Sequence, residues 1–224
     1  MKGTTIRAGG TVLDSKDITG SIVVAAANVT IRRSSLHANA GEDFGIKVVG
    51  TGSVTIEDTT ITGYRFGVTG DNYTAIRVEV TGLKEDGFIL GSHVTVDSSW
   101  CHDFVPESGA HSDCAQLQSG ETNVIVRDSW FDPGSGGNSA IFIAPDLGPD
   151  SNGPVSISGN VFGGGNFSLY CVDGANGKYH IRNILVVNNK FIRNATYGPA
   201  DVNVAVTWEG NGWADSGALI PVGG

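Results

Sequence analysis

One short pattern, two apolar residues two apart followed five residues later by a third, recurs eight times along this 224-residue chain. The copies are Val29-Thr-Ile31 with Leu36, Val54-Thr-Ile56 with Ile61, Ile76-Arg-Val78 with Leu83, and Val94-Thr-Val96 with Cys101. Val124-Ile-Val126 with Phe131, Val155-Ser-Ile157 with Phe162, Ile184-Leu-Val186 with Phe191 and Val206-Thr-Trp208 with Trp213 follow. Their starts lie 25, 22, 18, 30, 31, 29 and 22 residues apart. A unit this short cannot bury its own apolar face, so it has to stack on its neighbours. A weaker copy, Val12-Leu13 with Ile18, precedes the rest and reads as a terminal turn.

The fifth residue after each start is Ser34, Thr59, Thr81, Ser99, Ser129, Asn160, Asn189 or Asn211, in every case small or amide-bearing. Such side chains suit a tight bend, where they bond to the backbone or to the same residue one coil away. A second, alternating segment follows in most units: Ile46-Lys47-Val48, Val68, Phe88-Ile89-Leu90, Ala115-Gln116-Leu117, Ile141-Phe142-Ile143 and Tyr170-Cys171-Val172. Period-two alternation turns Val48, Leu90, Leu117, Ile143 and Val172 inward and Lys47, Ile89, Gln116, Phe142 and Cys171 outward. The two longest intervals hold insertions at 101–113 and 132–139. An antiparallel sandwich also has many short strands, but the same residue class at the same bend favours stacking. The expected fold is all-β, a right-handed parallel β-helix (solenoid) of about nine coils. Residues 1–28 form its capping coil, 29–213 the body and 214–224 a tail, in one domain.

Glycine at 33 residues and a charged fraction of only 17% fit turns and stacked strands and exclude a helical bundle, while 40% hydrophobic content excludes a disordered chain. No apolar run approaches the roughly 18 residues of a spanning helix, so no membrane insertion is expected. A net charge of −9 repels nucleic acid. No secretory leader is expected at Met1-Lys2-Gly3, where an apolar stretch is lacking. Cys101, Cys114 and Cys171 allow one disulfide at most, have no zinc-site spacing and read mainly as core residues.

Ile18-Thr-Gly-Ser-Ile22 leading to Asn28-Val-Thr-Ile31, the segment Gly109-Ala-His111-Ser-Asp113-Cys-Ala-Gln116 and the Ser/Asn bends together resemble the pectate-lyase-like right-handed parallel β-helix superfamily. More narrowly, the chain looks like the β-helix repeat proteins secreted by actinobacteria and the minor tail proteins of their phages. The resemblance implies a fold more than a chemistry, because that superfamily spans lyases, hydrolases, epimerases and inert tail modules. The arginine base and calcium carboxylates of pectate lyases have no residue-by-residue match here.

Stacking turns residues at equal offsets into neighbours about 4.8 Å apart. Aligning Asp86-Gly87-Phe88-Ile89-Leu90 with Asp113-Cys114-Ala115-Gln116-Leu117 sets Asp86 beside Asp113, Lys84 beside His111 and Ile89 beside Gln116. Two adjacent carboxylates share a proton, hold a calcium ion, or merely bond their own bends. In a catalytic reading His111 is the general base and Lys84 stabilises developing negative charge, while Gln116 offers a bidentate amide to sugar hydroxyls. Trp100 and Trp130 fall at the same outward offset, with His102 and Asp132 two residues on. They form either a platform for pyranose faces or a satellite core covered by the 101–113 insertion. His102-Asp103 is a lesser candidate pair.

Two function classes follow. One is an extracellular β-helix that binds a polysaccharide or cell-surface glycan and, if it is an enzyme, cleaves it as a lyase or glycoside hydrolase. The other is a virion tail module that recognises a host surface or acts as a spacer among other tail proteins, without turnover. The acidic balance favours a neutral glycan, or one bridged by calcium.

Overall fold

A computed structural model describes residues 1–134 and 136–223. Among them 24 strands join in a single sheet, with no α-helix and one short 3-10 turn at Ala175–Gly177. Strands pair in parallel with strands one repeat further on: Leu13 faces Ile31, Val29 faces Val54 and Val124 faces Val155. This all-β architecture, with parallel pairing between successive repeats, is consistent with a β-solenoid.

The pairings sort the strands into three rows. The first row holds the apolar pairs of the repeat, from Val12–Asp14 through Val94–Asp97 to Val206–Glu209. The second follows the bend and includes Ser35–His37, Trp100–His102 and Trp130–Asp132. The third holds the alternating segments, including Phe88–Ile89, Asp113–Leu117, Ser139–Ile143 and Phe167–Cys171. Inward residues of all three rows form one core, with a column Leu36, Ile61, Val80, Cys101, Phe131, Phe162 and Phe191 fully buried within it. Phe131, Phe162 and Phe191 continue that column as neighbouring rings, 6.4 Å and 5.5 Å between centroids.

The bend is a hydrogen-bonded ladder. The Ser99 N–H donates to Ser129 Oγ, Ser129 N–H to Asn160 Oδ1, Asn160 N–H to Asn189 Oδ1 and Asn189 N–H to Asn211 Oδ1, each at 3.0 Å. The residue before each rung takes a left-handed backbone: Arg33, Asp58, Arg77, Ser98, Asp128 and Asn188 all have φ between 47° and 57°, and glycine stands at 159 and 210. Each rung satisfies a backbone donor that a sharp turn would otherwise bury unpaired.

Two expectations about register need correction. In the third repeat the register is Tyr73-Thr-Ala75 with Val80, because Tyr73 faces Val54, Ala75 faces Ile56 and Val80 faces Ile61. Val78 therefore occupies the bend and Thr81 does not; its N–H still donates to Ser99 Oγ at 3.1 Å. An apolar bend residue beside Ile76 mimicked the repeat's own opening pair. In the third row, Cys171 faces Ile143 and is buried, while Val172 is half-exposed. Tyr170 follows Phe142 on the outer side. All three cysteines are core residues, as the sequence suggests, and the one disulfide they allow joins Cys101 to Cys114, leaving Cys171 as the buried free thiol.

Candidate functional site

The site is built where the second and third rows meet. Strand Trp100–His102 pairs with Trp130–Asp132, so Trp100 faces Trp130 and His102 faces Asp132. Both indoles remain in solvent, 47% and 51% exposed, and the 101–113 insertion does not cover them. That insertion is held elsewhere: Phe104 is buried, Phe104 N–H donates to Pro133 O, Val105 N–H to Leu83 O, and Glu107 pairs with Lys84. His102 lies flat on Trp100, with ring centroids 3.6 Å apart. Its Nδ1 is 2.8 Å from Asp103 and its Nε2 3.1 Å from Glu79. These contacts fix the ring and shield one face of Trp100.

On the opposite wall, strand Asp113–Leu117 carries the second group. The Asp113 carboxylate is fully buried and fully engaged. One oxygen accepts from Asn138 Nδ2 at 2.9 Å and from the Ser139 hydroxyl, and the other lies 3.1 Å from His111 Nδ1. A carboxylate at Nδ1 orders the imidazole with Nε2 as the free acceptor. The hydrogen bond from Asp113 raises the His111 pKa, against a smaller lowering by burial. His111 keeps half its surface in solvent and stands edge-on to Phe142 at 5.1 Å.

Asp86 sits one repeat before Asp113, nearly without solvent contact, and one of its oxygens accepts the Asp113 N–H at 3.0 Å. Burial first, and the neighbouring Asp113 charge second, push its pKa up to about 8. At neutral pH Asp86 thus holds a proton, as expected of two carboxylates confined together. Its backbone bond also makes it a bend residue. Three of the pair's oxygens already accept hydrogen bonds from the protein, and calcium takes six to eight oxygen ligands, so the two carboxyls alone do not complete a calcium site. Among the described residues no group of three or more His, Cys, Asp or Glu side chains is placed to hold a metal.

Trp100, Trp130, His102, Asp132 and His111 line one open cleft of about 910 Å³. The structure separates Lys84 from this group: its ammonium pairs with Glu107 at 3.0 Å on a different depression, beside His37 and Arg65. Gln116 does face Ile89 and Phe142 on the outer row, but it is 4% exposed, and its Oε1 is buried without a hydrogen-bond partner. Its amide is therefore almost wholly covered. Sequence reasoning missed Asn138, Asn166, Asn194 and Thr196, which complete the cleft wall. Asn194 Nδ2 donates to Asp132 at 2.8 Å, while its Oδ1 accepts the Gly164 N–H at 2.7 Å. The Asp113–Ser139 register would have revealed Asn138, but the glycine-rich insertion before it concealed the repeat.

These elements define a class: an all-β parallel-sheet protein with an open lateral cleft, one wall of exposed indoles and the other a carboxylate-ordered imidazole. No known family model, curated protein or solved structure matches the chain.

Proposed function

We propose that the chain is a right-handed parallel β-helix of about nine coils, akin to the pectate-lyase-like proteins, that binds an uncharged extracellular polysaccharide along this cleft. The stacked column from Ile18 to Trp213 supports the coil number, and parallel crossover connections are right-handed in about 98% of cases. The observation that carries the function is the exposed Trp100–Trp130 pair in register on adjacent strands, lining one cleft together with amide and hydroxyl side chains. Indole faces take the C–H faces of pyranose rings, and Asn138, Asn166, Asn194 and Thr196 offer partners to sugar hydroxyls.

Charge selects among glycans. The ionisable residues lining the cleft are His102, Asp103, His111 and Asp132, with no lysine or arginine among them. A polyuronate would find no permanent cation, which argues against lyase chemistry. His111 Nε2 is available to accept a proton from a sugar hydroxyl or from water, with Asp113 holding the ring. The Cys101–Cys114 disulfide favours an oxidising, extracellular compartment.

Affinity electrophoresis against neutral polysaccharides (glucans, mannans, xylan) and against polygalacturonate tests the reading. The protein should be retarded by at least one neutral polymer and not by polygalacturonate. Trp100→Ala and Trp130→Ala should each weaken retardation about tenfold, since an aromatic contact is worth roughly 0.5–1.5 kcal/mol beyond its burial. Equal mobility of wild type and both variants in every gel would end the proposal. New reducing ends lost in His111→Ala would add a hydrolase activity, whereas binding without products fits the virion tail-module alternative.

A further inference from the structure

We infer that the glycan does not stop at the cleft but continues onto a second aromatic surface formed by Phe142, Tyr170, Phe167 and Tyr197; this rests on the reading above. The rings succeed one another as neighbours. Phe142 lies 5.2 Å from Tyr170, Tyr170 5.5 Å from Phe167 and Phe167 5.8 Å from Tyr197. Phe142 and Tyr170 lie on the outer side of the third row, in the column that carries Lys47 and Thr69 in earlier repeats; Phe167 opens its strand at the position of Phe44 and Phe66, and Tyr197 immediately precedes the next strand, Gly198–Val202. Tyr197 is 70% exposed, and Phe142, Phe167 and Tyr170 are each partly exposed. Core packing does not account for such a run on an outer face.

Continuity with the cleft is direct. His111 on the cleft wall touches Phe142 edge-on at 5.1 Å. Asn166 and Thr196, two other wall residues, immediately precede Phe167 and Tyr197 in the chain. Beyond the strip, Phe142 and Tyr170 border a further depression of about 600 Å³ whose polar lining is Asp146, Asp173, Asn176, Asp201 and Asn203. Like the cleft, it is lined by no lysine or arginine. Rings set among amides and carboxylates, without cations, repel an anionic polymer and match the alternating apolar faces and hydroxyl edges of a neutral one. The two surfaces together accommodate a chain several sugars long, so affinity must grow with chain length.

The test is a length series. Neutral oligosaccharides of two to eight units, prepared from a polysaccharide that retards the wild type, are titrated by calorimetry. Wild type should bind the longest members at least tenfold more tightly than the shortest. Tyr197→Ala and Tyr170→Ala should each cost about fivefold with long chains and leave the shortest unchanged, while Trp100→Ala weakens all lengths. Tyr197→Ala removes a side chain outside the core, and an unchanged melting temperature confirms that it folds. If both tyrosine variants match wild type at every length while Trp100→Ala loses binding, the strip is overturned and the cleft stands. If wild type binds no neutral glycan at any length, both fall. Concentration-dependent self-association in sedimentation, abolished by Tyr197→Ala, would reassign the strip to a second copy of this chain and overturn its glycan role.

Discussion

Asp86 shows how much one side chain draws from its coil neighbour. A carboxyl at that bend needs only to accept a backbone N–H, which it does from Asp113. Burial of that carboxyl first, and the charge of Asp113 beside it second, drive the Asp86 pKa up to about 8 from 3.8. Between about pH 4 and pH 8 the folded chain keeps a proton that the unfolded chain has released, so unfolding free energy falls as pH rises through that window and levels off above it. Asp86→Asn keeps the acceptor and removes the ionisation. The variant should melt at or above wild type at pH 8, and the gap should close towards pH 4; a parallel pH dependence in chemical denaturation of the two proteins would refute the raised Asp86 pKa. His111 works in the same sense, although its charged form is favoured by Asp113 where that of Asp86 is penalised. Its raised pKa contributes stability in acid that is lost as pH rises through the folded-state value.

At the scale of elements, the bend ladder explains why hydroxyls give way to amides along the chain. Ser99 and Ser129 each bridge a single step, whereas Asn160 and Asn189 also return Nδ2 to the carbonyls of Val126 and Ile157 at 3.0 Å. Asn189→Ala strips an acceptor from the Asn160 backbone and side chain and leaves the Ile157 carbonyl without its side-chain donor. Buried polar groups left unsatisfied cost about 1–3 kcal/mol each, so urea denaturation should show a loss of roughly 3 kcal/mol. A loss below about 1 kcal/mol would mean that the ladder is not a source of stability. The disulfide acts on a neighbouring element. Cys101 lies between Trp100 and His102, Cys114 follows Asp113, and the bridge thus ties the two cleft walls across a sequence separation of 13 residues.

Across the whole molecule, legibility followed the spacing of apolar residues. Repeats with hydroxyl or amide bends were placed in register from the text alone, as were Trp100 with Trp130, His102 with Asp132, and Asp86 with Asp113. Where Val78 takes the bend in place of a polar residue, Ile76-Arg-Val78 imitates the apolar pair and displaces the true one, Tyr73-Thr-Ala75. Pairings set by insertions were illegible: the disulfide and the separation of Lys84 from His111 depend on how residues 102–113 fold back, which no repeat encodes. The burial of Gln116 was equally invisible, since alternation says which side a residue takes and not what lies over it.

Everything proposed for the cleft depends on stacking, which a cross-link measures directly. Thr95 and Ile125, thirty positions apart, are register partners on adjacent strands, whereas Ser156 is the partner of Ile125 one repeat further on. Neighbouring strands lie about 4.8 Å apart, within the usual 4.4–6.8 Å Cα separation of a disulfide. Thr95→Cys with Ile125→Cys should therefore oxidise to a cross-link in the folded protein, and Thr95→Cys with Ser156→Cys should keep free thiols. Free thiols in the first pair together with a bond in the second would contradict the stacking register and the cleft built on it.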